Sequence, residues 1–139
     1  MPFPMTLTTP AQGEQLEPIA DFIVMAAREA GLSARAVYHV QTAVDEACAN
    51  IIRHAYEFEG QGVIELRCEC ARGSLIITLV DHGKPFDPST LTTPDINAGL
   101  EQRQEGGLGY YLMTRLMDEV HYQTLRHANV LRMTKKLNA

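Results

Sequence analysis

A chain of 139 residues, 45% hydrophobic, is the length of one ordinary domain and can bury a core large enough to fold without disulfides or a structural metal. Its net charge of −5, from 17 Asp and Glu against 12 Lys and Arg, excludes a basic footprint for nucleic acid or anionic lipid, so a polyanion must be held locally, by backbone N–H groups, a helix N-terminus or a metal ion. There is no run of about 18 uncharged apolar residues and no basic start with an apolar core, which predicts a soluble cytoplasmic protein with no membrane partner; three cysteines without a C-x-x-C pair fit a reducing compartment.

In chain order, MTLTT predicts a short first strand that Pro10 ends. AQGEQLEPIADFIVMAAREAG predicts a helix: Ile19, Phe22, Ile23, Ala26 and Ala27 recur at three- and four-residue spacing, Pro18 falls in its first turn and Gly31 closes it. Ser33 predicts the N-cap of a second helix, whose apolar face runs from Val37 and Val40 through Val44, Ala47, Cys48 and Ile51 to Ala55 and stops near Tyr56, where EFEGQG breaks it. VIELRCECA alternates Ile64, Leu66, Cys68 and Cys70 against Glu65, Arg67 and Glu69. A tight Arg-Gly turn follows, and SLIITLVD predicts a more fully buried strand that completes a hairpin. Cys68 and Cys70 share one sheet face, which predicts small core residues and no metal site.

From Pro85 to Glu105 the chain is rich in Pro, Thr, Asp, Asn, Gly and Gln, and a connection of that length is either a functional lid or a disordered segment. GGLGYYLMTRLMDEV predicts a helix that starts at glycines and carries Leu108, Tyr111, Leu112 and Leu116 on one side; VHYQTLR and NVLRMTKKL predict two closing strands. Helices segregated from mostly hairpin-connected strands predict an α+β fold, a two-layer sandwich of a mixed, mostly antiparallel sheet with helices on one face, in a single domain spanning 1–139.

Three stretches could carry chemistry. In DEACANIIRHAY, a helix turning about 100° per residue puts Glu46, Asn50 and Arg53 on one narrow stripe opposite the apolar face. A solvated outer face accounts for such a stripe, yet Thr42, Ala43 and Ala49 flank it where a solvated face would favour Lys and Glu, and small neighbours leave room for a ligand. DHGKPFDP ends a buried strand with a carboxylate, Asp81, beside the closely approachable backbone of Gly83; a simple turn accounts for Asp81 as well. GGLG, residues 106–109, opens a helix whose free N–H groups and positive dipole end suit phosphate, or it punctuates a loop. It lacks the Walker Lys-Ser/Thr pair, and no strand leads straight into it, so neither common phosphate motif fits.

Taken in this order and spacing, the three stretches resemble the N box, first glycine box, and ATP lid with second glycine box of the ATP-binding domain shared by gyrase, Hsp90, histidine kinases and MutL. More closely, E-A-x-x-N-x-x-x-H-x-Y, D-x-G-x-P-F-D-P and E-G-G-L-G-x-x-L, with LMDEVHY downstream, resemble the bacterial anti-sigma-factor serine/threonine kinases. The similarity runs from the second helix to the last strand and implies the Bergerat-type fold. By position it implies Glu46 as general base, Asn50 as magnesium ligand, and Asp81 as acceptor of the adenine amino group. It implies Gly83 as the close approach for the base, and Gly107, Leu108 and Gly109 as the lid-to-helix turn over the phosphates. Arg53, His54 and Arg103 are further candidates to offset phosphate charge. Two departures stand out: HANVLRMTKKL lacks the Gly-Thr pair that many relatives place before the final strand, and Pro85 replaces the second glycine of the wider superfamily, as it does in the anti-sigma subgroup.

The function this resemblance implies is an ATP- and magnesium-dependent serine/threonine kinase. It would phosphorylate an anti-sigma-factor antagonist of the STAS type, withhold a sigma factor when that antagonist is phosphorylated, and form a homodimer. The alternative is a nucleotide-binding partner switch that regulates another protein without catalysis. With no phosphoacceptor-histidine helix before the domain and no transducer domain after it, a histidine kinase, gyrase subunit or Hsp90 fragment is not expected.

Overall fold

The structure, a computed structural model, describes residues 2–57, 61–85 and 107–137. The chain runs β1 (Met5–Pro10), a 3-10 turn (Gly13–Gln15), α1 (Leu16–Ala30), α2 (Ala34–His54), β2 (Val63–Ala71), β3 (Ser74–Asp81), α3 (Gly107–Leu116), β4 (Glu119–Thr124) and β5 (Asn129–Lys136). The order of elements is the one the sequence predicts. The segment expected to form the lid, and Arg103 within it, lies outside the described residues.

Local chemistry sets the element ends. Gly31 adopts a left-handed φ of 92° and its N–H returns to the carbonyls of Ala27 and Arg28, closing α1 where a side chain would be strained. Two residues later the Ser33 hydroxyl accepts the Ala36 N–H at 3.2 Å and starts α2, a cap that contributes about 1 kcal/mol. Between β2 and β3, Arg72 (φ 53°) and Gly73 (φ 74°) form the two-residue turn whose positive φ angles match the twist of the strands.

Among the described residues the sheet has five strands in the order β1-β2-β3-β5-β4, and every pairing is antiparallel, so "mostly antiparallel" becomes entirely so. Its inward row, Leu66, Cys68, Leu75, Ile77, Leu79, Leu131 and Met133, meets Ile19, Ile23, Val40, Val44 and Cys48 of the helices in one core. With about 25 cal/mol of stabilisation per Å² of apolar surface buried, this layer contact is the main driving force of the fold.

Three local expectations change. β3 is not buried on both faces: Leu75, Ile77, Leu79 and Asp81 are buried and the residues between them only half-buried, because helices cover one face alone. Cys68 is in the core, where burial pushes its thiol pKa up to about 12, whereas Cys70, one step nearer the hairpin turn, is exposed. Finally, Gly109 and Met113 of α3, and Met117 just after it, are buried, while Tyr111, Leu112 and Leu116 are only half-buried. The helix is rolled relative to its most apolar side because the small Gly109 lets its start lie against α2.

Candidate active site

The C-terminal half of α2, the end of β3, the start of α3 and the inward sides of β4 and β5 line a cleft that opens to solvent. Asn50, His54, Asp81 and Lys84 bring polar groups to it, and Ile51, Tyr110, Met113, Tyr122 and Leu131 supply apolar walls. An apolar slot with a few convergent polar groups is the usual form of a small-molecule site.

At one end stands Asp81. It is buried, and its Oδ1 accepts the Gly83 N–H at 3.0 Å and the Asn129 side-chain amide at 2.8 Å. The same amide nitrogen donates to the Gly83 carbonyl at 3.0 Å, so Asn129, 3% exposed, ties both ends of the Asp81–Gly83 turn. Two donors on one oxygen orient the carboxylate and leave Oδ2, which has no partner among the described residues, for a ligand. Asn129 lies directly across from Asp81 on β5, at the place where the expected Gly-Thr pair is missing. Sequence reading passed over it, although the alternation back from Met133 and Leu131 puts position 129 inward, and an inward polar residue needs a partner.

Gly83 is also needed for packing within the protein. A Cβ there would collide with the backbone carbonyl of Ala55, the C-cap of α2, which also accepts the Lys84 N–H. A close approach is thus made here between α2 and the end of β3. Tyr56 reinforces the same junction: its hydroxyl donates to the Val63 carbonyl at 2.8 Å and accepts the His82 N–H at 2.9 Å, and its ring occupies the space that a side chain at Gly62 would need.

His82 braces the outer side of this turn. Its Nδ1 faces the His127 carbonyl at 2.9 Å and its Nε2 faces Glu65 Oε2 at 3.0 Å. Both partners only accept, so both bonds form together only in the imidazolium, and the His127 carbonyl first, then Glu65, raise the His82 pKa. The folded form thus binds this proton more tightly than the unfolded chain does. The added stability is complete below about pH 6.5 and is lost as pH rises through the raised folded value. Thermal melts from pH 5.5 to 8.5 should show this decline, and His82→Gln should remove it; the effect is modest because the side chain is half exposed. Equal slopes in both proteins would reject the clamp.

At the other end, only Arg53 of the Glu46, Asn50 and Arg53 stripe is fully exposed. Asn50 is 7% exposed, because α3 lies across the stripe. A Cβ on Gly109 would stand 2.6 Å from Glu46 Oε2 and 3.8 Å from Asn50 Nδ2, so the first turn of α3 rests on these two side chains. Arg53, exposed, donates from Nη2 to Asn50 Oδ1 at 2.8 Å, while Asn50 Nδ2 is buried with no hydrogen-bond partner among the described residues. A buried amide nitrogen in that state is costly unless a ligand completes it. No group of three His, Cys, Asp or Glu side chains able to hold a metal occurs among the described residues. The donor set fits magnesium only as a shared ion: Asn50 Oδ1 is a hard oxygen donor at one corner, and the remaining ligands would come from phosphate and water.

The structure therefore brings Glu46, Asn50 and Gly109 together at one end of the cleft and Asp81 with Gly83 at the other. Gly107 and Leu108 lie in the first turn of α3. His54 lines the cleft between the two ends, and Lys84 and Asn129 are the polar residues that motif reading did not single out.

A profile of the histidine kinase-like ATPase domain family matches residues 9–135. The serine-protein kinase RsbW of Bacillus subtilis (strain 168) is 34% identical over 137 residues, which cover 95% of this chain and 84% of that one. The serine-protein kinase RsbW of Bacillus cereus (strain G9842) is 34% identical over 130 residues, 91% of this chain and 80% of that one. Among solved structures, the RsbU and RsbW domains of Rv1364c from Mycobacterium tuberculosis superpose with a TM-score of 0.70 at 15% identity, over 96% of this chain and 32% of that longer one. The catalytic domain of the histidine kinase ThkA superposes with a TM-score of 0.50 at 10% identity, over 96% of each chain. These two are likenesses of fold.

Proposed function

As the chain belongs to the histidine kinase-like ATPase family, and within it to the RsbW-type serine-protein kinases, we propose that it transfers the γ-phosphate of ATP, with magnesium, to a serine or threonine of an anti-sigma-factor antagonist of the STAS type. In this reading it is an anti-sigma factor that withholds a sigma factor once the antagonist is phosphorylated. Residues 1–139 act as one domain and pair as a homodimer, without nucleic acid; among the described residues no helix is long and apolar enough to cross a membrane.

The observation that carries the proposal is the meeting of Glu46 and Asn50 under the first turn of α3, across one cleft from the oriented carboxylate of Asp81. Asp81 Oδ2 accepts the adenine amino group while the apolar walls hold the ring. Asn50 Oδ1 gives one lone pair to Arg53 and keeps the other for the metal. Magnesium, when bound, neutralises charge on the β- and γ-phosphates. The N–H groups at the start of α3, with Gly107, Leu108 and Gly109, add positive field on the same side. Glu46 takes the proton of the substrate hydroxyl as its oxygen bonds to the γ-phosphorus and the bond to the bridging oxygen breaks, releasing ADP.

Incubation with radiolabelled ATP, magnesium and STAS-type antagonist domains tests the proposal. Label on a serine or threonine supports it, and none on any antagonist, despite measurable ATP binding, rejects the transfer. Two variants probe the ends of the cleft. Asp81→Asn should weaken Mg-ATP binding by about 1.5 to 3 kcal/mol in calorimetry, since an amide offers the adenine amino group a donor or a weaker acceptor; unchanged affinity would mean that Asp81 does not read the base. Gly109→Ala should keep thermal stability, because alanine favours the helix and the obstructing atom is the movable end of Glu46. The displaced carboxylate should still lower transfer about 100-fold, and wild-type turnover would exclude this placement of Glu46.

A further inference from the structure

The inward row of β5 is polar at both ends: Asn129 serves Asp81 at the cleft, and Lys135 stands at the far end, past Met133. Lys135 is only 8% exposed. Its ammonium donates to the Leu116 carbonyl at 2.6 Å, capping α3, and lies 3.3 Å from His39 Nδ1. Both acceptors are neutral, and among the described residues Lys135 has no carboxylate partner. A buried cation without a carboxylate partner is expensive, and the Arg35 guanidinium on the same cavity makes it more so. Lys135, His39 and Arg35 nevertheless line one cavity of about 240 Å³, shared with Ser33 and Ala36. The start of α2 does not account for it, because the Ser33 hydroxyl already accepts the Ala36 N–H.

We propose that Arg35, His39 and Lys135 form a phosphate site separate from the nucleotide cleft, which takes a phosphomonoester or orthophosphate dianion. Arg35 supplies a guanidinium at the cavity, and Lys135 a fixed point charge at its floor. His39, with Nδ1 turned to Lys135, keeps Nε2 for a bond to the ligand. The state without ligand is consistent with this: burial first, then Lys135 and Arg35, hold the His39 pKa below its usual value, and a bound dianion would reverse the sign of that local field. In a chain of net charge −5 such a local cluster is unlike the average surface. The site stands independently of the kinase reading.

The test follows the imidazole resonances of the full chain during titration with orthophosphate and with a short phosphoserine peptide, assigned through His39→Gln and His54→Gln. Expected are saturable shifts at His39 with little change at His54 in the cleft, a His39 pKa that rises with ligand, and affinity that falls with potassium chloride. Arg35→Ala, at an exposed position, should weaken binding about tenfold or more without loss of fold. Tighter binding of the peptide would identify a phosphorylated protein as the source, and tighter binding of orthophosphate the free ion. His39 shifts no larger than chloride causes, shifts led by His54, or unchanged affinity in folded Arg35→Ala would each overturn the site.

Discussion

Glu46→Gln should lower phosphoryl transfer by about 10²- to 10⁴-fold while Mg-ATP affinity stays within a few-fold of wild type. The glutamine keeps the length and hydrogen-bonding reach of the side chain, so α3 still rests on position 46 through Gly109 and the cleft keeps its shape. What it removes is the capacity to take a proton. Single-turnover transfer to an antagonist domain, with calorimetry on the same sample, separates the two quantities. A variant that transfers normally would show that Glu46 only supports the start of α3. One that loses ATP affinity in proportion would make Glu46 a binding group, not a base.

Gly83→Ala should cost at least about 1 to 3 kcal/mol of stability and weaken ATP binding with it. The added methyl group meets the backbone carbonyl of Ala55, an atom that cannot swing aside as the Glu46 carboxylate can. Relief requires the last turn of α2 to separate from the end of β3. That movement would break the Lys84 N–H bond to Ala55 and loosen the turn in which Gly83 and Asn129 orient Asp81. Urea denaturation and nucleotide calorimetry should therefore move together, whereas Gly109→Ala should change turnover alone. A Gly83→Ala protein with wild-type midpoint and affinity would show that the α2–β3 junction does not control the cleft.

The two glycines also show where motif reading stops. DHGKPFDP and GGLG mark both positions as needing glycine, but not what each one meets: backbone at Gly83 and a carboxylate end at Gly109. In the helical stripe, Glu46 and Asn50 share a face by helix geometry alone, but a sequence does not say what covers that face. The expectation of an outward stripe gives way to an amide that is 93% buried beneath α3, or 7% exposed.

Local interactions are written along the chain: the Ser33 cap, the Gly31 termination, the Arg72-Gly73 turn and the period-two hairpin each depend on residues a few positions apart. The ordered motifs that reveal the family are legible for the same reason, since each holds its residues within one helix or turn. Packing between distant elements decided the rest. The roll of α3 onto Gly109 and Met113 depends on its fit against α2 and the sheet, and the exposure of Cys70 on where helix cover ends. The pairing of Asn129 with Asp81 spans 48 positions and follows from the register of β3 on β5, which no window of sequence contains.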